Sequence, residues 1–181
     1  QKIMLSFFCA ILVGSVLLAL PVSSATGAAV PYIDALFTAT TSICVTGLVT
    51  VPTCSTWSVF GQIVILILIQ LGGLGIITVM YGVMMGLHRR LGIGNRRLLQ
   101  DAFNLNNISG IVRFLRKVLI GTLVVEGTGA LLYMTVFIPE YGLRGIWISI
   151  FNAISAFCNA GMDIMSEDSL CGYVFQPMVN L

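Results

Sequence analysis

The sequence predicts an all-α integral membrane protein built from a repeated unit of a span, a short re-entrant helix, a glycine-ended loop and a second span. Three observations lead to this prediction. The 181 residues are 57% hydrophobic and only 9% charged, whereas soluble domains carry about 25% charged residues. Long apolar stretches alternate with short ones, and a helix needs about 20 residues to cross a bilayer. The two short stretches also resemble each other in sequence.

Three long spans are predicted, at residues 3–20, 59–87 and 118–138. The second stretch, of about 29 residues, exceeds the roughly 20 that a bilayer requires, so we expect tilt, a kink or an extension there. The short segments lie at residues 32–42 and 143–157 and are too short to cross as helices. Each short segment follows a span and precedes a polar exit.

The charges predict the orientation of the chain. Seven of the nine basic residues lie between Arg89 and Lys117, and basic loops stay on the cytoplasmic side. The N-terminus and residues 88–117 are therefore expected in the cytoplasm of a multi-pass plasma-membrane protein, with both loops at the outer face and Arg144 as a single exception. The predicted units are a first repeat (1–90), a basic connector (91–117) and a second repeat (118–181) that lacks most of its closing span. A basic stripe between apolar spans does not indicate nucleic acid.

The internal repeat aligns residues 35–48 with residues 149–162 without a gap. Its four identical pairs are Phe37 and Phe151, Ala39 and Ala153, Cys44 and Cys158, and Gly47 and Gly161; Thr41 and Ser155 are a similar pair. Internal repeats are common in transport proteins.

The loops after the short helices are candidates for binding ions. Non-helical backbone survives at membrane depth only inside protein or along a water-filled path, and backbone carbonyls can replace the hydration shell of an alkali cation. Gly47 and Gly161 suit such a loop because glycine adopts backbone angles closed to other residues. A single glycine at this place would more simply be a helix cap, but the matched pair favours a filter. Neither loop needs an acidic side chain, which favours a monovalent cation over calcium.

Several other residues are assigned structural roles. Glu126 lies near mid-membrane, where we expect it to pair with a basic residue or backbone donors of a neighbouring helix, more than to coordinate an ion. Asp34 should favour the N-terminus of the first short helix. Gln70 is a further polar group at depth, and Gly72, Gly73 and Gly75 should permit close helix contact. The cysteines have no zinc-site spacing, and a Cys54–Cys171 disulfide is open but not favoured.

Three runs carry a family resemblance: T-S-I-C-V-T-G-L at Thr41–Leu48, Q-L-G-G-L-G at Gln70–Gly75 and F-C-N-A-G-M at Phe157–Met162. Together they resemble the Trk/Ktr/HKT superfamily of potassium transporters, and most of all the membrane subunit of bacterial Ktr systems. The resemblance implies a potassium-channel-like fold of four repeats around one path, of which this chain is expected to supply the N-terminal two.

The resemblance also implies the site and the partners. Half of the filter would be lined by backbone carbonyls of Ile43, Cys44, Val45, Thr46, Gly47, Phe157, Cys158, Asn159, Ala160 and Gly161. Potassium would be the substrate, bound only there, with no covalent cofactor and with sodium left open as a coupling or activating ion. The expected partners are the lipid bilayer, a second copy of the full-length chain, and a cytoplasmic nucleotide-binding regulatory subunit.

Two other classes compete with an ion path. A secondary transporter with broken helices that binds a small organic substrate would need more polar groups at the midplane than Glu126 and Gln70. A non-conducting scaffold would show no flux even as the full-length protein. An enzyme is not expected, because no nucleophile–base pair, metal cluster or phosphate-binding loop is apparent in the sequence.

Overall fold

The computed structural model describes residues 2–75 and 108–165, with the side chains of 4–75 and 116–165. Within these ranges the chain is helical and contains no β-strand, so the predicted all-α class is confirmed for this part. The elements, in chain order, are α1 (Lys2–Ala19), a 3₁₀ turn (Pro21–Ser23), α2 (Tyr32–Cys44), α3 (Thr53–Thr56), α4 (Val59–Gly73), α5 (Ile108–Tyr141) and α6 (Arg144–Phe157).

Two predicted spans differ from the helices observed. The 59–87 stretch is not one continuous helix, because α4 ends at Gly73 and Gly75 has a φ of +79°. Two adjacent glycines weaken a helix, and the third adopts the left-handed conformation that stops it. Residues 76–87, and the basic cluster that follows them, lie outside the described residues.

The helix that contains the third span begins before the predicted start of the span. Helix α5 starts at Ile108 rather than at residue 118, so it includes the last ten residues of the predicted connector. The cluster of Arg113, Arg116 and Lys117 marks a membrane boundary by charge, but arginine and lysine are good helix formers and do not end a helix. Residues 91–107 of the connector lie outside the described residues.

Two groups of helices build the fold. Helices α1, α2 and α4 pack together, α5 packs along α6, and α4 also contacts α6. Close approach depends on small residues: a Cβ atom placed on Gly14 of α1 would lie 2.8 Å from a Leu68 methyl group of α4. Helix α6 runs back along α5, with Gly145 against the Phe137 carbonyl and Gly129 beside Ala153.

The end of α1 and the start of α4 are fastened together at one end of the structure. The Ala25 amide donates to the Thr56 carbonyl at 2.9 Å, and the Ser58 amide donates to the Ser23 carbonyl at 2.9 Å. The Ser58 hydroxyl caps α4 by accepting from the Gly61 amide, and it donates to the Val22 carbonyl at 2.6 Å. These bonds hold the end of α1 beside the start of α4.

Helix α5 has the character of a lipid-facing span. Its stretch Arg116–Tyr141 is long and apolar enough to cross a membrane, yet only 17% of its apolar 18-residue segment is buried. Leu123, Leu131 and Leu132 are each more than 60% exposed. Its 26 residues rise about 39 Å at roughly 1.5 Å per residue, more than the hydrocarbon thickness of about 30 Å. An apolar surface of this extent is stable in lipid rather than in water.

Candidate functional site

The first loop enters and leaves the fold at the same end. Helix α2 starts beside the end of α1, where the Tyr32 hydroxyl lies 3.1 Å from the Ser15 hydroxyl. Its 13 residues carry the chain inward by about 20 Å. Its last turn lies against the far end of α4, where the Ile43 carbonyl meets Gly72. Residues 45–52 then return the chain to α3, beside the end of α1.

Both short helices end in the same backbone motif. The Thr46 amide donates to the Thr41 carbonyl at 3.1 Å, and the Ala160 amide donates to the Ser155 carbonyl at 2.8 Å. This six-residue hydrogen bond is the one that closes a Schellman cap. The two bonds join residues that the gap-free sequence alignment also pairs.

The left-handed residues of the two loops also correspond. Val45 and Asn159 have φ values of +54° and +60°, and Gly47 and Gly161 have φ values of +75° and +65°. Two of the three residues from 45 to 47, and from 159 to 161, thus occupy a region costly for most side chains. The chain therefore turns in the same way twice after each short helix.

Hydroxyl groups tie each loop to the last turn of its helix. The Thr41 hydroxyl lies 2.5 Å from the Thr46 hydroxyl, and the Ser155 hydroxyl donates to the Met162 carbonyl at 2.5 Å. The sequence comparison paired Thr41 with Ser155 but did not assign a role to either hydroxyl. Their shared position in the repeat is the feature that could have suggested one.

The two loops meet directly. The Ala160 carbonyl oxygen faces Gly47 so closely that a Cβ atom at residue 47 would overlap it. The Ser42 hydroxyl, which donates to the Thr38 carbonyl at 2.6 Å, also lies 3.7 Å from the Met162 sulfur, across 120 residues of sequence. Gly47 is therefore required both by its backbone angle and by its contact with the other loop.

The carbonyl oxygens of the predicted filter are not used by the rest of the described fold. Those of residues 43–47 and 157–161 accept no hydrogen bond from residues 2–75 or 108–165. Two of them face glycines: the Ile43 oxygen lies against Gly72 and the Ala160 oxygen against Gly47. Backbone carbonyls are strong hydrogen-bond acceptors, so these oxygens are open to water, an ion or another part of the protein.

The structure corrects the expected start of the first loop. Ile43 and Cys44 belong to the last turn of α2, whereas non-helical backbone had been expected from residue 43. Phe157 is the last residue of α6, where the second short segment was expected to end. The Ile43 side chain is buried, while the Cys44 and Phe157 side chains are exposed. The hydroxyl bonds described above support the caps of both helices, and the bond between Thr41 and Thr46 stabilises the last turn of α2.

Gly72 and Gly73 of α4 lie against the C-terminal ends of the two short helices. Gly72 lies against the Ile43 carbonyl, and a Cβ atom on Gly73 would lie 2.6 Å from the Cys158 sulfur. Gly72 therefore contacts the chain where the first loop begins, and Gly73 contacts it where the second loop begins. Gly75 has open space around it, so its positive φ rather than close packing accounts for glycine there.

Glu126 has a different partner from the one expected. Its buried carboxylate accepts from the Gln70 side-chain amide, with the nitrogen 2.7 Å and 2.8 Å from its two oxygens. The Gln70 oxygen in turn accepts from the Cys158 thiol at 3.6 Å. Neither a basic residue nor a backbone donor of another helix contacts Glu126 within the described residues. Gln62, which the sequence did not single out, similarly connects α4 to Trp147 of α6 at 2.7 Å.

The remaining predicted features are less informative. Asp34 lies in the first turn of α2, as expected. Cys171 lies outside the described residues, so a bond to Cys54 stays untested. No cluster of three His, Cys, Asp or Glu side chains suited to a metal occurs in the described parts of the chain.

The fold and its lipid-facing helix are those of an α-helical membrane protein. The chain belongs to the TrkH family of cation transport proteins, whose sequence profile matches residues 7–181. It is 41% identical over 94% of its length to the potassium/sodium uptake protein NtpJ of Enterococcus hirae, and 41% identical over its whole length to the Ktr system potassium uptake protein B of Bacillus subtilis. The corresponding protein of Vibrio alginolyticus is 36% identical over 98% of the chain.

The chain covers about two fifths of each of these relatives: 38% of the Enterococcus protein, 40% of the Bacillus protein and 39% of the Vibrio protein. Similarity therefore extends along nearly all of this chain but along less than half of each relative.

Proposed function

We propose that this chain supplies two of the loops that line a selectivity filter for potassium uptake across the plasma membrane. One observation carries the proposal: two glycine-containing loops with the same backbone turn lie side by side, and their carbonyl oxygens accept no hydrogen bond from the described fold. Family membership and the names of the relatives support a cation as the transported species.

The geometry suits a weakly hydrated monovalent cation. Helices α2 and α6 each end at the loops, and the C-terminal end of a helix carries partial negative charge that favours a cation. Carbonyl oxygens replace the hydration shell without binding the ion too tightly to leave. The Glu126 carboxylate is bonded to the Gln70 amide, so we assign the ion to the carbonyl dipoles of the loops rather than to this side chain.

The wider assembly belongs to the same proposal. The chain would be the front half of a translocating subunit with four such repeats, with residues 1–90 and 118–181 as the first two and the basic segment 88–117 in the cytoplasm. The subunit would act in a regulated Trk/Ktr-type system, as a homodimer with a cytoplasmic nucleotide-binding subunit. Sodium is open as a second transported or coupling ion, in keeping with the name of the Enterococcus relative.

The test is a serine substitution at Gly161 in the full-length protein, with Gly142→Ser as the matched control. Both glycines have positive φ, +65° and +61°, and at each of them a Cβ atom would have no neighbour within 4 Å among the described residues. The backbone strain is therefore similar, about 1–2 kcal/mol in each variant, but only Gly161 lies in the proposed filter. We expect Gly161→Ser to reduce the preference for potassium over sodium and Gly142→Ser to retain it.

Potassium and sodium uptake would be measured in cells that lack their own uptake systems, with the amount of membrane protein determined for each variant. Wild-type selectivity in Gly161→Ser, at normal expression, would contradict the proposal. Equal loss of selectivity in both variants would also count against it, since the effect would then follow backbone strain rather than the site.

A further inference from the structure

A chain of three polar side chains, of which the two outer ones are buried, connects α5, α4 and the second loop. Glu126 of α5 accepts from Gln70 of α4, and Gln70 accepts from Cys158 at the start of the second loop. Glu126 is 6% exposed and Cys158 is 8% exposed. We call these three residues the polar relay. It lies where Gly73 brings the α4 backbone against Cys158.

The Glu126 carboxylate fixes the orientation of the Gln70 amide within the polar relay. An ionised carboxylate can only accept hydrogen bonds, whereas a glutamine side chain has a donating and an accepting end. Glu126 therefore holds the nitrogen of Gln70 toward α5, which leaves the Gln70 oxygen facing Cys158. The thiol can then act as donor. Without the carboxylate, either end of the amide could face the loop.

The first loop has no corresponding arrangement. Cys44, which the repeat pairs with Cys158, is exposed, and its thiol makes no hydrogen bond within the described residues. That loop is held instead by the contact of Ile43 with Gly72 and by the hydroxyl pair of Thr41 and Thr46. The polar relay is thus specific to the second loop, and Cys44 offers an internal control.

We propose that Glu126 and Gln70 are positioning residues for the second filter loop. They fix the Cys158 side chain, and through it the backbone of residues 159–161, whose carbonyl oxygens would face the ion. This inference rests on the proposed filter function but assigns Glu126 a task beyond helix pairing. It also gives a role to a carboxylate within a membrane span, where charge is costly.

The first experiment measures the reactivity of Cys158 without reference to ions. The purified full-length protein would be treated with N-ethylmaleimide, and each cysteine would be followed by peptide mass spectrometry. In Gln70→Leu the thiol loses its acceptor, and we expect Cys158 to react about fivefold faster, as for the loss of a hydrogen bond worth about 1 kcal/mol. Cys44 should react at its wild-type rate. An unchanged Cys158 rate would overturn the inference.

Glu126→Gln provides a second variant if Gln70→Leu fails to fold. It preserves the size of the side chain and a hydrogen-bond acceptor but no longer fixes the orientation of Gln70. We expect a smaller increase in Cys158 reactivity, with elution of the purified protein as a single folded species. A Cys158 rate equal to that of wild type in this variant would show that the carboxylate does not act through the relay.

The second experiment tests the link to ion selectivity by combining substitutions. Glu126→Gln and Cys158→Ala should each lower the preference for potassium over sodium, while Cys158→Ser, which keeps a donor, should lie closer to wild type. If Glu126 acts through Cys158, the double variant should be no worse than Cys158→Ala alone. Fully additive losses would show that Glu126 acts elsewhere.

The outcomes separate this inference from the proposed function. Faster reaction of Cys158 with unchanged selectivity in the relay variants would overturn the positioning role even if Gly161→Ser altered selectivity. If Gly161→Ser were also without effect, the filter assignment itself would fail.

Discussion

Replacing Gly72 by alanine should disturb the first loop through a contact that the structure defines. The added Cβ atom would overlap the Ile43 carbonyl oxygen and lie 2.8 Å from the carbonyl carbon. Both atoms belong to the backbone of the last turn of α2, so no side-chain rotation can relieve the overlap. Either α4 or the end of α2 must move away, and that movement would shift the loop that follows.

The size of the effect follows from two opposing contributions. Overpacking of a close contact costs about 1–3 kcal/mol, whereas alanine in place of glycine stabilises a helix by up to about 1 kcal/mol. The overlap with fixed backbone atoms places Gly72→Ala toward the larger packing cost, so we expect a net destabilisation of about 1–2 kcal/mol. Gly73→Ala should also be destabilising, because its Cβ atom would lie 2.6 Å from the sulfur and 2.7 Å from the Cβ atom of Cys158.

Gly127→Ala in α5 is the control for helix propensity. A Cβ atom on Gly127 would have nothing within 4 Å among the described residues, so this variant should be as stable as wild type or slightly more so. Thermal unfolding of the detergent-purified full-length protein and potassium uptake in cells would be measured for both. The reasoning is refuted if Gly72→Ala unfolds no earlier than Gly127→Ala and transports potassium at the wild-type rate.

Two further predictions concern hydroxyl groups. Ser155→Ala removes the bond to the Met162 carbonyl, worth about 1 kcal/mol, and should lower the selectivity for potassium. Ser149→Ala removes a bond to the Gly145 carbonyl within α6 and should leave the selectivity unchanged. Uptake of potassium and sodium would be measured in parallel for both variants. Ser58→Ala removes the cap of α4 and the bond to the Val22 carbonyl, and it should lower the free energy of unfolding by about 1 kcal/mol. We expect a lower unfolding temperature with unchanged ion selectivity. A change in selectivity without loss of stability would contradict this assignment.

The helices and the matched glycines were predictable because they depend on local pattern. Long apolar runs, short apolar runs and glycine at a fixed distance after each short run are visible in the sequence. The helix bounds were less predictable, since α2 extends to Cys44 through hydrogen bonds formed by its own cap. Charge indicated a boundary near Lys117, although the helix itself continues through the basic residues.

The contacts between distant segments could not be predicted. Nothing in the sequence indicates that Gly47 faces the Ala160 carbonyl, or that Gly72 and Gly73 contact different loops. Glu126 was recognised as an unusual charge at depth, but its partner proved to be a neutral amide rather than a basic residue. Such pairings depend on how α4 lies between the two loops, which is a property of the packed structure.

The measurement closest to the central claim locates the ion itself. Crystals of the full-length protein grown with thallium, which substitutes for potassium and scatters X-rays anomalously, would reveal bound ions directly. We expect an anomalous peak beside the carbonyl oxygens of both loops, near residues 45–47 and 159–161. Ions found only at other places, such as beside the Glu126 carboxylate, with both loops unoccupied, would contradict the proposed filter.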